Sequence, residues 1–155
     1  MSVEQTLLAA QGYIELEMPC EAIAELDTLP AAAHDTEPVL QMRLFIFMTA
    51  RWWGPALSVC SQLRQLFPEK VAGYLHGAFC LHERGSTAEA RTLLLSGPPA
   101  LKNDATYYYN LGCYSAALGE LETAKDYVQT SITMDDKFRQ IAKIDPDLFK
   151  LRSQF

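Results

Sequence analysis

Ala22, Ala56, Ala90 and Ala124 recur at a constant spacing of thirty-four positions. Gly85 and Gly119 keep the same step, each five residues ahead of its alanine. A fixed period of this size belongs to stacked supersecondary units, each able to bury its apolar face only against its neighbours. An alanine recurring once per unit suits a crossing of two helices, where a larger side chain would push them apart. A glycine just before it lets the chain leave the first helix with positive φ. The period therefore predicts an all-α chain of helical hairpins, with breaks near residues 18, 34, 52, 69, 85, 103, 119 and 136.

The 155 residues suit one domain with a sizeable core. Apolar residues make up 49% and charged residues 21%, which places the chain among ordinary globular proteins. No apolar run is long enough for a transmembrane helix. The opening MSVEQTLLAA lacks a basic stretch and a cleavage site, so no export signal is expected. Cys20, Cys60, Cys80 and Cys113 show neither CxxC nor Cys/His ligand spacing. They read as buried small apolar residues in a reducing compartment, and a cytoplasmic protein is the expectation.

Charge is unevenly placed. Residues 1–42 hold eight acids and no lysine or arginine, while the rest of the chain holds eleven acids and thirteen bases. Two readings of the acidic start stand open: a solvated face, or a docking surface for a basic partner. A net charge of −6 without a basic stripe argues against nucleic acid as a partner.

Laid in register, the last unit is the clearest. It runs Tyr108-Tyr109-Asn110-Leu111-Gly112-Cys113-Tyr114-Ser115, followed by Gly119, Leu121, Ala124 and Val128. Leu111, Ser115 and Leu118 share one helical face, and Gly112 admits a neighbouring helix. One step back lie Tyr74, Gly77, Ala78, Leu81, Gly85 and Ala90, with Ser86 or Thr87 as the expected N-cap and Ser96-Gly97-Pro98-Pro99 ending a short helix. Another step back come Leu40, Leu44, Phe47, Trp53, Ala56 and Cys60, closed by Pro68, with Trp53 as core and Trp52 at the turn. The first unit has Ala9, Ala10, Tyr13 and Ala22, with Pro19 in its turn and Pro30 at its end. Second helices are thus expected short in units one and three, full in two and four. In the tail, Asp145 and Pro146 read as N-cap and first helical residue. Phe138, Ile141, Leu148 and Leu151 are expected to cover the open end of the last unit.

This pattern resembles the tetratricopeptide family, whose unit reads W-x2-L-G-x2-Y…A-x3-F. Tyr108 stands for the tryptophan and Ser115 for the second aromatic. The ending Asp145-Pro146-Asp147-Leu148 is similar to the tail of many small bacterial members. The resemblance implies a right-handed superhelical solenoid of antiparallel helix pairs in a single domain, with repeats at about 3–35, 36–69, 70–103 and 104–136 and a C-terminal capping helix in 137–155.

It also implies where a partner would bind. In that family the first helix of each unit lines a concave groove. The equivalent positions here are Leu7, Gln11 and Ile14; Gln41, Phe45, Met48 and Thr49; Leu75, Phe79, His82 and Glu83; and Tyr109, Cys113 and Ala116. None is a lysine or arginine, so a clamp for a C-terminal carboxylate is not expected. An apolar groove suits an amphipathic helix or an extended apolar segment of a protein partner. Leu7, Gln11, Gln41, Phe45, Met48, Phe79, His82 and Tyr109 are the candidate contacts, with Phe45, Met48, Phe79 and Tyr109 as anchors. For Tyr109 and Cys113 a second reading stands beside this one: core, covered by the chain's own C-terminal helix.

Nothing in the sequence assembles a catalytic or metal constellation. His76 and His82 point to different sides of one helix. His34 lies in the first inter-repeat linker and reads as exposed. Asp135-Asp136 and Asp145-Pro146-Asp147 suggest a cation site on one reading, but helix capping explains them more simply. Phosphate loops, nucleophile elbows and HExxH are absent. The expectation is a non-catalytic protein-interaction module without cofactor or metal. Type III secretion chaperones resemble the chain in length, acidity and apolar groove, but carry three repeats behind a leading helix. A self-associating solenoid, and so a homo-oligomer, is the further alternative.

Overall fold

The computed structural model describes residues 1–155. Its α-helices are α1 (Val3–Glu15), α2 (Pro19–Asp27), α3 (Glu37–Thr49), α4 (Trp53–Leu66), α5 (Ala72–Glu83), α6 (Thr87–Leu95), α7 (Ala105–Ala117), α8 (Leu121–Met134) and α9 (Lys137–Ile144). Short 3-10 turns occupy Ala31–Ala33, Pro99–Asn103, Pro146–Leu148 and Arg152–Gln154. There are no strands, and every break expected from the period falls between two α-helices. No helix is long and apolar enough to cross a membrane. Packing divides the single expected domain into two compact units, Met1–Phe67 and Pro68–Phe155. The division falls at the end of the expected second repeat.

In the first unit Ser2 and Gln5 form a capping box that starts α1, at 3.1 and 2.9 Å. Pro19 opens α2 at a position where its missing N–H is no loss. Ala10, Ile14, Ala22, Leu26, Leu29, Val39 and Ile46 close over one another as its core. In the second unit Leu75, Ala78, Ala90 and Leu94 join Leu111, Tyr114, Ala124, Val128 and Ile132 in one cluster. All four periodic alanines have no exposed surface. The second helices of hairpins one and three have nine residues, those of two and four fourteen. Proline explains the short ones: Pro30, and Pro98 with Pro99, lie just beyond their ends.

All four hairpin turns share one conformation. Glu17, Arg51, Gly85 and Gly119 keep the same spacing as the alanines and have φ of 59°, 60°, 87° and 85°. At each, the N–H of that residue reaches back three residues and the next N–H reaches back five, as in Glu17 to Ile14 (2.9 Å) and Met18 to Tyr13 (2.8 Å). This is the Schellman closure, and it needs a left-handed residue. Glycine supplies it without strain in the last two turns; a β-carbon opposes it in the first two. Glu17→Gly is therefore expected to stabilise the first unit by about 0.5–1 kcal/mol, the left-handed strain outweighing the entropy of a freer unfolded chain. Gly119→Ala, whose β-carbon would touch nothing within 4 Å, is expected to destabilise the second by a similar amount. Urea midpoints measure both. A loss of stability in the Glu17 variant would remove the strain from the account.

Several expectations are corrected. Leu118 and Ile141 are 37% and 39% exposed, because Leu118 lies in the turn and Ile141 on the outer side of α9. Cys20 is exposed on the first turn of α2, whereas Cys60, Cys80 and Cys113 are buried. Ser86 makes no side-chain cap, and the Thr87 hydroxyl is turned to His82 instead. His34 is not simply exposed. Its Nε2 lies 2.9 Å from the Leu29 carbonyl and its Nδ1 3.1 Å from the Arg43 guanidinium, which also pairs with Asp27 at 2.7 Å. That chain of contacts ties the first linker to α3. Trp52 sits at the turn, 37% exposed and 6.1 Å from the Phe47 ring. Trp53 is half-buried.

Candidate functional site

The equivalent positions on the first helices are Gln11, Phe45, Phe79 and Cys113, one full repeat apart in succession. In the first unit, α1 presents Leu7, half-buried, and Gln11, exposed, while α3 presents Gln41 and Phe45, exposed, and Met48, half-buried. Phe45 is 51% exposed in the middle of its helix. Gln11 and Gln41 lean on their own helices, toward Glu15 and Glu37 at 3.4 and 3.0 Å. Ile14 is core rather than face.

In the second unit Phe79 is 36% exposed and His82 half-buried, but Leu75, Tyr109 and Cys113 are buried, the last two at 6% and 4% exposure. Tyr109 is therefore corrected: it is not an open anchor. The cover is partly the expected C-terminal helix and partly the turn beyond it. Phe138, at the start of α9, stacks on the Tyr109 ring at 4.9 Å. Beyond α9 the chain turns back through a single 3-10 turn at Pro146–Leu148. The local sequence dictates that turn: the Asp145 carboxylate accepts the Asp147 N–H at 2.9 Å, Pro146 restricts φ, and Leu148 is fully buried.

The turn places two carboxylates against α5 and α7. The Tyr109 hydroxyl donates to Asp145 Oδ2 at 2.5 Å, and the Cys113 thiol faces the same oxygen at 3.7 Å. His82 Nε2 lies 3.0 Å from Asp147 Oδ2, its Nδ1 lies 2.9 Å from the Thr87 hydroxyl, and its ring lies 4.9 Å from that of Tyr114. These groups line a cleft of about 570 Å³ that Phe79, Glu83 and Asn110 also border.

The electrostatics follow from this packing. The hydrogen bond to Asp147 raises the His82 pKa above the ordinary histidine value, against the effect of burial, and the charges of Asp147, Glu83 and Asp145 add to the rise. Burial pushes the Tyr109 hydroxyl up, and burial with the Asp145 charge pushes the Cys113 thiol well up. Both stay protonated at neutral pH, so Cys113 is no nucleophile here. The ligand atoms of Cys113, Asp145 and Asp147 lie within 4.8 Å of one another. Asp145 accepts the Tyr109 hydroxyl and Asp147 faces His82, so both carboxylates belong to one hydrogen-bond network.

The sequence singled out the carboxylates of the tail as caps or a cation site, but not as part of the first-helix face. Their capping role was legible in Asp-x-Asp spacing around a proline. Their landing point on α5 and α7 had no local signal.

Neither a family model nor a curated protein sequence matches the chain. Solved structures do. TTC0263, a thermophilic TPR protein of Thermus thermophilus, has a TM-score of 0.75 at 15% identity, covering 99% of this chain and 82% of its own. MamA 41-end from Desulfovibrio magneticus RS-1 has a TM-score of 0.74 at 20% identity, covering 97% and 89%. A crystal structure of MamA has a TM-score of 0.75 at 14% identity, covering 99% and 88%. Identities this low carry the fold alone. With helical hairpins repeating at the spacing of the alanines through shared left-handed turns, and with this likeness, the chain has the tetratricopeptide-repeat fold.

Proposed function

We propose that the chain is a non-catalytic protein-interaction module, binding a helix or extended apolar segment of a protein partner on the exposed first-helix faces of its units. The observation that carries the reading lies at the four equivalent positions. Gln11, Phe45 and Phe79 are exposed, whereas Cys113 is covered by a segment of polypeptide, the chain's own Asp145 turn. That packing supports the reading that a first-helix face of this chain can take a peptide. The faces bearing Phe45 and Phe79 present large rings to solvent, the side chains that dominate interface energies. Leu7, Gln11, Gln41 and Met48 are the further contacts proposed in the first unit, and His82, which lines the same cleft as Phe79, in the second.

The test starts with capture of partners from cells of the native organism, followed by affinities with the purified chain. Phe45→Ala and Phe79→Ala together are expected to weaken binding about tenfold or more. The Phe45→Ala urea midpoint should stay close to the native value, since that ring is half exposed, and the Phe79→Ala midpoint is measured beside it because that ring is largely covered. Unchanged affinity in the double variant sinks the proposed contacts. A concentration-dependent mass of the free chain, lost in the same variant, would make a second copy the occupant. Selective recovery of one hydrophobic secreted client would favour the chaperone reading.

A further inference from the structure

The Asp145–Leu148 turn is tied to the second unit by contacts that answer differently to pH. Leu148 and Leu151 are buried, and apolar burial does not depend on protons. The Tyr109 hydroxyl keeps its proton across the ordinary pH range, so its bond to Asp145 is also insensitive. The contact between His82 and Asp147 is the exception, because its strength depends on the charge of the imidazole.

We propose that His82 is a pH-operated clasp on the C-terminal turn: charged, it holds Asp147 across the cleft between α5 and α7; neutral, it loosens the turn while Leu148 keeps the segment attached. The geometry suits this task. Thr87, at the start of α6, fixes the ring through Nδ1, so Nε2 stays aimed at Asp147. The titratable groups around the ring come from each neighbouring element. Glu83 on α5 and Asp145 and Asp147 on the turn favour the charged imidazole, and Tyr109, Cys113 and Tyr114 on α7 remain neutral. The sign follows. A group whose folded pKa is raised contributes fully below its unfolded value and loses the contribution as pH rises through the folded one. The turn is therefore tightest in mild acid and loosens as the solution becomes alkaline. Asp147 is partly exposed, so solvent screens the pair and the change is modest. Loosening widens the approach to Phe79 and Asn110.

Hydrogen exchange followed by NMR on the full chain tests the clasp. The reporters are the amides of Asp147, Leu148 and Phe149, whose acceptors all lie within the turn. From about pH 5.5 to about pH 8.5, their protection, corrected for intrinsic exchange, is expected to fall about two- to fivefold, in step with the His82 ring titration. In His82→Gln and in Asp147→Asn the step should vanish, and protection should sit at the native high-pH level throughout. Flat protection in the native chain across the His82 titration overturns the proposal. So does full low-pH protection in His82→Gln. Amides of α8 serve as the control: if they lose protection equally in a variant, the native chain's own titration decides. The measurement needs no partner, so its outcome stands apart from that of the binding experiment.

Discussion

Ala124→Leu is expected to lower the unfolding free energy of the second unit by about 1–3 kcal/mol. Ala124 has no exposed surface and lies on α8 where that helix crosses α7. The approach is close enough that a β-carbon on Gly112 would lie 2.5 Å from Val128 Cγ2 and 3.2 Å from the Ala124 carbonyl oxygen. Val128 is short, branched and buried, so it has little room to give way. A leucine at 124 must push α7 and α8 apart or force strained rotamers. Gly112→Ala wedges the same contact and should act in the same direction. The two variants share one contact, so their combined effect should differ measurably from the sum of the single ones. Ala88→Leu, on the exposed side of α6, is the control and should change stability by less than about 0.5 kcal/mol. Urea unfolding measures the set. A native-like midpoint for Ala124→Leu would mean that the periodic alanines do not hold the helix pairs together.

Leu148→Ala is expected to destabilise the second unit by about 2–5 kcal/mol, the range for emptying a fully buried leucine site. Leu148 has no exposed surface, belongs to the same apolar cluster as Leu111, Ala124 and Phe138, and lies four residues beyond α9. Its loss removes apolar burial and leaves a void that a single 3-10 turn cannot close, because Pro146 restricts the backbone before it. Phe149→Ala, one residue on and 58% exposed, should have almost no effect. The contrast between the two neighbours is the measurement. Equal, small effects would mean that the C-terminal segment rests on the unit without being part of its core.

Much of the hairpin architecture is legible in Ala22, Ala56, Ala90 and Ala124, because a helix crossing tolerates only a small residue and the period repeats that demand. The turns are legible at Gly85 and Gly119 but hidden at Glu17 and Arg51, where the same left-handed backbone is imposed on residues that do not ask for it. There the closing hydrogen bonds at both ends of the turn win over local preference. Short second helices are legible because proline stops a helix wherever it occurs.

By itself, then, the sequence determined the number of hairpins, the residues at their crossings, the positions of their breaks and the cap formed by Asp145 and Pro146. These rest on helical period, side-chain size and local backbone chemistry, which act within a few residues. Only the tertiary structure decided which first-helix positions face solvent. Phe79 and Cys113 occupy the same place in successive repeats, yet one is exposed and the other buried. The difference comes from a turn 32 residues away in the chain, whose Asp145 meets Cys113. A contact of that range depends on the path of α8 and α9 as a whole. No residue near Cys113 records it, so the occupied face and the His82–Asp147 pair become visible only in the folded chain.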